Sequence, residues 1–235
     1  MQAVTNDTLL GGRVRLRQPA KGYRVAIDPV LLAAFVRVEA GDTACEFGCG
    51  TGAALLCLAA RVPGLRLTGL ERAPELRELA RHNVLQGEII AGEIGGAWVL
   101  PERAFDHVLF NPPFFPESSY SASPHETRSE AHRLTTPLKE WLHAARRALK
   151  ADGQVSFIIH HGQLEEAITG LATGFGAAEI KPVRPKAGAN ASRLLIRAQM
   201  GRKTPPAVLP DLILHESDGS YTQAAQQILA EAGAL

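Results

Sequence analysis

The sequence predicts an α/β fold with a mostly parallel sheet and helices on both faces. Three observations support this prediction. Apolar runs typical of strands alternate with helical segments, a glycine cluster follows the first main run, and 235 residues fit one large domain. Hydrophobic residues make up 46% and charged residues 21%, which excludes disordered, collagen-like and coiled-coil chains. No apolar run reaches about 18 residues, so we expect neither a spanning helix nor a secretory signal.

The predicted elements alternate along the chain as strand, turn and helix. Strands are predicted at 43–47, 66–70, 88–94, 105–110, 154–160, 178–183 and 192–199. Helices are predicted at 29–38, 53–62, 74–83, 137–149, 163–172 and 220–230. The link 184–191 is too short for a helical crossover, so the last two strands should pair antiparallel. We expect a single domain, with residues 1–42 as an N-terminal cap, 43–200 as the catalytic sheet and 201–235 as a tail that packs on it.

The cysteines indicate a reduced, cytoplasmic chain without a metal. Cys45, Cys49 and Cys57 are odd in number and lie within thirteen residues, and no second cluster completes a zinc site. We therefore expect three small, buried, apolar side chains.

Positive charge is concentrated in two segments that contain no acid. Residues 13–24 hold five and residues 181–203 hold seven of the 25 Lys and Arg, which leaves 13 bases against 24 acids, or −11, elsewhere. This asymmetry predicts a polyanionic partner if the two segments meet in space. The alternative is two solvated strand faces.

A glycine-rich turn lies where the first main strand meets a helix, at Glu46-Phe47-Gly48-Cys49-Gly50-Thr51-Gly52. Open α/β sheets bind nucleotide-like ligands at this position, because glycines let the backbone pass close beneath the ligand. Glu46 would disfavour a pyrophosphate there and favour an ammonium or sulfonium cation. Glu71, at the end of the second strand, is placed to accept both ribose hydroxyls, and Glu93 to meet an adenine amino group. An adenosine with a cationic side chain describes S-adenosylmethionine.

The segment Asn111-Pro112-Pro113-Phe114 follows the fourth strand, at the same predicted sheet edge. Two prolines remove two backbone amides and fix φ, so the Asn111 side chain and the Pro112 carbonyl have few local competitors as acceptors. Together they would accept both N–H bonds of a conjugated amine and localise its lone pair toward a methyl donor. Phe114 can stack on the base. The alternative is a rigid turn with an incidental asparagine.

These motifs resemble those of class I S-adenosylmethionine-dependent methyltransferases that act on amino groups. Within that class, the N-terminal run G-G-R-V-R-L-R-Q-P-A-K-G-Y-R-V-A-I-D-P and the C-terminal runs A-S-R-L-L-I-R-A and L-H-E-S-D-G-S-Y-T are similar to the bacterial tRNA1(Val) (adenine-N6)-methyltransferase family. The resemblance implies a seven-stranded Rossmann-like sheet with an antiparallel last strand. It also implies methyl transfer to the 6-amino nitrogen of an adenine in a tRNA anticodon loop, with S-adenosylhomocysteine as product.

The resemblance further implies roles for individual residues. The implied cofactor-binding residues are Glu46, Phe47, Gly48, Cys49, Gly50, Gly52, Glu71, Arg72, Glu93 and Asn111. The implied catalytic residues are Asn111, Pro112, Pro113 and Phe114. We also predict substrate contacts from Phe114 and Phe115 and from three arginines of the basic segments, Arg24, Arg193 and Arg197. Residues 115–133 are interpreted as a lid over the substrate.

Several alternatives remain open at this point. Related N-P-P-[FY] enzymes modify protein glutamine, DNA adenine or guanine 2-amino groups in rRNA, and a non-catalytic nucleic-acid binder is a third class. We expect tRNA or another nucleic acid as the partner, no metal, no membrane, and a monomer in the cytoplasm.

Overall fold

The computed structural model describes residues 3–22, 24–113 and 136–235. The strands in these ranges are β1 (Val4–Leu9), β2 (Val14–Pro19), β3 (Thr43–Phe47), β4 (Arg66–Glu71), β5 (Gly87–Ala91), β6 (Phe105–Phe110), β7 (Leu149–His160), β8 (Phe175–Lys186), β9 (Arg193–Met200), β10 (Ala207–Val208) and β11 (Leu212–His215). The α-helices are α1 (Asp28–Phe35), α2 (Ala53–Arg61), α3 (Pro74–Asn83), α4 (Leu138–Ala148), α5 (Leu164–Leu171) and α6 (Gln223–Glu231). Short 3₁₀ turns lie at Leu10–Gly12 and His161–Gln163.

The main sheet has the strand order β10-β8-β9-β7-β6-β3-β4-β5, with β11 also pairing with β8. Only β9 runs antiparallel to its neighbours, β7 and β8, as predicted from the short link between the last two strands. The chain moves outward from β3 to β4 and β5 on one side, and then returns to β6 and β7 on the other. The order therefore reverses beside β3, and the carboxyl ends of β3 and β6 flank the crevice where such sheets bind ligands.

Helices cover both faces of the sheet because successive strand residues point to opposite sides. In β3, Ala44 packs with α1, α2 and α6 in one apolar cluster. Its neighbour Cys45 packs with α4 and α5 in the other cluster. Both residues are fully buried, as expected for a parallel sheet between two helical layers.

The two ends of the chain pack around this core. Strands β1 and β2 form a separate antiparallel hairpin that lies against α2 and α3. At the other end, α6 packs against α1 and against the turn Leu10–Gly12.

The observed sheet has nine strands, two more than the seven expected. The extra strands, β10 and β11, come from the proline-containing tail and pair parallel with β8. Most other predicted elements lie within a few residues of their observed bounds. The third predicted strand, 88–94, ends at Ala91, so Glu93 lies in the loop beyond it. The first helix, predicted at 29–38, begins at Asp28 and ends at Phe35.

Candidate active site

A cavity of about 390 Å³ opens at the carboxyl ends of β3, β4, β5 and β6. Most of the predicted cofactor and catalytic residues line it. The predicted residues in its wall are Glu46, Gly48, Cys49, Gly50, Glu71, Arg72, Glu93, Asn111, Pro112 and Pro113. The fold therefore brings together side chains and turns that are separated by up to 67 residues in the sequence (113 − 46).

The two predicted turns are direct neighbours in the structure. Strand β3 pairs in parallel with β6, and Phe47 lies opposite Phe110 in the register. Gly48 and Asn111 are the next residues of the two strands, and paired strands lie about 4.8 Å apart. A ligand held above one turn is therefore within contact distance of a ligand held above the other.

The glycine turn combines close backbone approach with helix packing. Gly48, Gly50 and Gly52 all have positive φ. At Gly52 a Cβ would lie 2.5 Å from a methyl group of Val84, so this glycine permits α2 to pack against α3 and does not line the cavity. Phe47 is also outside the wall, because its ring is fully buried and stacks on Phe110 in the core.

Glu71 is held rigidly at the end of β4. One carboxylate oxygen accepts a hydrogen bond from the Gly50 amide and the other accepts one from the Ala73 amide, each at 2.8 Å. Each carboxylate oxygen has two lone pairs, so both oxygens can accept a further bond from a ligand hydroxyl. The carboxylate also fixes the glycine turn relative to β4.

Glu46 is a buried carboxyl group at the base of the cavity. Its side chain is 4% exposed, and Oε2 receives no hydrogen bond from any residue in the described ranges. Burial raises the pKa of the Glu46 carboxyl well above its ordinary value; a backbone hydrogen bond from Leu55 opposes this, and the charge of Glu71 adds to it. A cation in the cavity would remove the cost of ionising this group.

Arg72 and Glu93 form the open rim of the cavity. Their side chains lie 3.6 Å apart as an ion pair, and both are more than half exposed. Exposed pairs of this kind contribute little to stability. Both side chains are therefore available to a ligand that enters from the β5 side.

Asn111 has an unusual combination of burial and missing partners. It follows β6, and its Oδ1 atom is buried without a hydrogen-bond donor among the described residues. Pro112 and Pro113, which follow it, have no backbone N–H to offer. Buried acceptors without partners are rare in folded proteins, because an unmade bond costs about 1–3 kcal/mol. The atom is thus poised to accept a hydrogen bond from a ligand.

The cavity wall also contains residues that were not predicted from the sequence, among them Pro29, Thr136 and Trp141. The Trp141 indole donates to the Thr136 carbonyl, and the Thr136 hydroxyl donates to the Ile94 carbonyl, each at 3.2 Å. These bonds connect the start of α4 with the loop after β5. Only the amphipathic pattern of α4 marked Trp141 in the sequence, and that pattern predicts a core position.

The three cysteines are free and buried, as predicted. Burial raises the pKa of the Cys57 thiol to about 12, and raises that of Cys49 further. The thiols therefore stay neutral at physiological pH. Cys49 contributes an apolar surface to the cavity wall.

Arg197 has a different role from the predicted substrate contact. It is 4% exposed, pairs with Glu179, donates to the Phe35 carbonyl at 2.8 Å and lies over the Phe35 ring. A guanidinium so enclosed has no surface to offer a phosphate. The prediction is wrong for this residue, which instead joins β9 to the end of α1.

Arg24 and Arg193 are both ion-paired and partly exposed. Arg24 pairs with Asp7 at 3.2 Å, and Arg193 pairs with Asp28 at 3.1 Å. Asp28 immediately precedes Pro29 in the cavity wall, so Arg193 lies beside the cavity. Phe114, Phe115 and the lid predicted at 115–133 lie outside the described residues.

None of the helices in the described ranges combines the length and apolar character that crossing a bilayer requires. In those same ranges, no three His, Cys, Asp or Glu side chains are grouped as a metal site would require.

The chain matches the methyltransferase small domain family over residues 26–184, which is more than half of its length. It belongs to this family and is an S-adenosylmethionine-dependent methyltransferase with the class I α/β fold. Family membership agrees with the position of the cavity at the switch point of the sheet.

Individual relatives point to a narrower group. The tRNA1(Val) (adenine(37)-N6)-methyltransferase of Actinobacillus pleuropneumoniae serotype 7 is 26% identical over 218 residues, covering 87% of this chain and 88% of the relative. The protein of the same name from Porphyromonas gingivalis strain W83 is 28% identical over 164 residues, covering 63% of each. A crystal structure of a predicted O-methyltransferase from Agrobacterium tumefaciens is 24% identical, with a TM-score of 0.75 over 88% of this chain and 98% of that chain. This last similarity concerns the fold alone.

Proposed function

We propose that the protein transfers a methyl group from S-adenosylmethionine to the 6-amino nitrogen of an adenine in a tRNA anticodon loop. The observation that carries the proposal is the buried Oδ1 of Asn111, which has no hydrogen-bond donor among the described residues and lies next to the glycine turn across the β3–β6 pair. The names of the similar curated proteins favour adenine 37 of tRNA1(Val) as the acceptor.

The cavity suits the cofactor at three points. The unpartnered Oε2 of Glu46 is available to a cationic methionine end. The two oxygens of Glu71 would accept the ribose hydroxyls, and Glu93 and Arg72, which line the cavity, would border the adenine. When bound, the cofactor supplies a methyl group activated by its sulfonium charge.

The acceptor side explains how a weak nucleophile could react. An exocyclic amine of adenine has its lone pair delocalised into the ring. Asn111 Oδ1 and the Pro112 carbonyl would each accept one N–H bond, which favours a tetrahedral nitrogen with its lone pair directed at the methyl group. The nitrogen lone pair would form the new N–C bond as the C–S bond breaks. The electron pair of the C–S bond would stay on sulfur, and the nitrogen would release its surplus proton to solvent. S-adenosylhomocysteine is the co-product.

A rigid acceptor turn contributes to this reaction through positioning. The two prolines limit rotation beside Asn111, so little conformational freedom is lost when the base binds. An anticodon-loop adenine is already single-stranded, which avoids most of the energy of extruding a paired base. We expect Phe114 to stack on that base.

The decisive experiment is methyl transfer with identified products. The purified protein is incubated with labelled S-adenosylmethionine and total tRNA, and the RNA is digested to nucleosides. We expect label in 6-methyladenosine. Label in protein alone, or transfer that is insensitive to RNase, would reject an RNA substrate and favour protein glutamine or DNA.

Binding experiments distinguish an enzyme from a nucleic-acid binder with a vestigial site. We expect calorimetric titration to show binding of both S-adenosylmethionine and S-adenosylhomocysteine. If neither ligand produced heat, the vestigial-site alternative would replace the proposal.

A further inference from the structure

The two acid-free basic segments differ in how their cations are paired. The second segment, 181–203, forms the second half of β8 and all of β9, and three of its arginines pair with acids outside the segment. These ion pairs are Arg184 with Asp211, Arg193 with Asp28, and Arg197 with Glu179. The remaining attraction of this segment for a polyanion is therefore reduced.

The first segment, 13–24, contains β2, the second strand of the β1–β2 hairpin, and the outward face of this strand is basic. Strand β2 alternates, with Val14 and Leu16 buried while Arg15 and Arg17 are exposed. The cross-strand partner of Arg15 is Thr8. Side chains directly across an antiparallel pair lie on the same face.

The same register determines the rest of the outward face. Asn6 is the cross-strand partner of Arg17, so neither exposed arginine of β2 faces an acid across the hairpin. Asp7 lies between Asn6 and Thr8 in β1 and therefore points to the other face, where it accepts a hydrogen bond from the buried Gln18.

Neither Arg13 nor Arg17 has an acidic hydrogen-bond partner among the described residues. Arg17 Nη1 lies 2.9 Å from the Nε2 atom of His82, and Arg13 Nη1 donates to the Ala230 carbonyl. Arg15 and Arg17 are two residues apart in β2, a step of about 6.8 Å along the same face, and Arg13 immediately precedes the strand. This row keeps its positive charge uncompensated by the groups it contacts.

The hairpin is fixed to the cofactor side of the cavity through one side chain. Asn83 Oδ1 accepts from the Arg17 amide at 3.0 Å, and its Nδ2 donates to the Arg17 carbonyl at 2.8 Å. The same Nδ2 donates to the Thr51 carbonyl, in the glycine turn, at 2.9 Å. The basic row therefore has a defined position relative to the cavity.

We propose that the outward face of the β1–β2 hairpin holds the phosphate backbone of the RNA substrate while one of its bases occupies the cavity. The assignment rests on the proposed RNA substrate and names the surface that binds it. Charge complementarity favours RNA as the occupant, because a row of exposed arginines without an acid neutralises phosphates and releases their counterions. The second basic segment is assigned no comparable role.

The test compares two double variants that remove the same charge from the two segments. Arg15→Gln with Arg17→Gln alters the hairpin. Arg202→Gln with Lys203→Gln is the matched control, because both residues are exposed and follow β9, in the other segment. Binding of an unmodified tRNA1(Val) transcript is measured by fluorescence anisotropy at several salt concentrations.

We expect the hairpin variant to bind the transcript about 25-fold more weakly at 0.1 M salt, since each lost contact to single-stranded phosphate accounts for roughly fivefold. The slope of log K against log salt should fall in magnitude by about 1.4, which is 2 × 0.7. The control should stay within about twofold of the unaltered protein. Arg15→Lys with Arg17→Lys should restore most of the binding, because phosphate contacts depend mainly on charge.

The opposite results would overturn the assignment. One such result is a hairpin variant that binds the transcript as tightly as the unaltered protein does. A second is an equal loss of affinity in the hairpin variant and the control variant. A third is a DNA duplex of matched length that binds as tightly as the transcript and loses as much affinity in the hairpin variant. Calorimetry with S-adenosylhomocysteine should show an intact cofactor site in each variant. Failure of the proposed function is a separate result, because it is the absence of methyl transfer by the unaltered protein.

Discussion

Glu71 and Asn111 lie at the carboxyl ends of two parallel strands on the same edge of the sheet, but their surroundings differ. Both oxygens of Glu71 accept backbone amide hydrogens. The Oδ1 atom of Asn111 is buried and receives no hydrogen bond within the described residues. In the proposed function, Glu71 would therefore be held in place before a ligand arrives, while the hydrogen bond of Asn111 would be made by the ligand.

This difference indicates how binding and chemistry are divided between the two turns. A carboxylate held by two backbone amides would supply ground-state affinity for a ligand, because these bonds keep its geometry fixed. An acceptor whose bond forms only with the reacting amine can favour the transition state more strongly than the bound substrate. Changes at the two sites should consequently affect different kinetic constants.

Asn111→Ala should have the largest effect on turnover. Loss of one preorganised polar contact to the reacting group reduces kcat by about 10²–10³-fold in comparable sites. The dissociation constant of S-adenosylhomocysteine should remain within about twofold. Single-turnover methyl transfer and calorimetry measure the two quantities, with Asn190→Ala, an exposed asparagine in the β8–β9 turn, as control. Full activity in Asn111→Ala would show that the acceptor assignment is wrong.

Glu71→Ala should have the largest effect on cofactor affinity. The variant loses the hydrogen bonds of a charged group to the ligand, about 1.5–3 kcal/mol, and leaves the Gly50 and Ala73 amides without their acceptors. We expect calorimetry to show a dissociation constant about 10–100-fold higher, with kcat at saturating cofactor changed far less than in Asn111→Ala. Glu71→Gln retains one acceptor oxygen, so its dissociation constant should lie between those of the unaltered protein and Glu71→Ala. A fall in kcat with unchanged affinity would contradict the division of roles.

Glu46 should make the cofactor side sensitive to pH. Its pKa is raised in the folded protein, so its contribution to stability is complete below its ordinary pKa and is lost as pH rises through the raised value. The melting temperature of the ligand-free protein should therefore fall more between pH 5 and 7.5 than that of Glu46→Gln. A difference of 1 kcal/mol corresponds to about 2–4 °C for a chain of this size.

Cofactor binding should depend on pH in the opposite sense. A cationic ligand favours the ionised carboxylate, so affinity for S-adenosylmethionine should increase over the same pH range and binding should release a proton. Glu46→Gln should bind S-adenosylmethionine more weakly, with no increase in affinity over this pH range and no release of a proton. Affinity and proton release are measured by calorimetry in buffers of different ionisation enthalpy. If the affinity of the two proteins for S-adenosylmethionine changed with pH in the same way, the role of this carboxyl would be disproved.

Glu93→Gln should have the smallest effect. The side chain is 55% exposed and its ion pair with Arg72 is worth no more than about 1 kcal/mol. We expect cofactor affinity to change less than about fivefold and the melting temperature to stay within about 2 °C. A loss of cofactor affinity above tenfold would mean that Glu93 contributes as much as Glu71. The contrast between the exposed and the buried carboxylate would then no longer hold.

Much of the site could be predicted because it depends on strand ends. Glycines at 48 and 50, the acid at the end of β4 and the Asn-Pro-Pro segment after β6 are local signals, and parallel strands place their carboxyl ends at one edge. Trp141 and Thr136 carried no such signal. They reach the cavity because α4 packs beneath the glycine turn, where the Trp141 ring lies 3.2 Å from the position of a Cβ on Gly48.

The tail strands and the role of Arg197 also could not be predicted from local sequence patterns. Strands β10 and β11 are two and four residues long, and their hydrogen-bond partners are supplied by β8. Short segments of this kind have too few residues for a recognisable period. Arg197 resembled the other arginines in the sequence, and only its enclosure by Phe35 and Glu179 shows that it is structural.

The amino-acid sequence alone determined the alternation of strands and helices and the chemical groups that follow the strands, since both depend on residues near one another in the chain. Tertiary structure decided which of those groups share a cavity, which polar atoms of the described residues have no partner there, and which cations of the two basic segments pair with acids. Those properties depend on burial and on contacts between residues far apart in the sequence, and such contacts exist only once the sheet and its helices have packed.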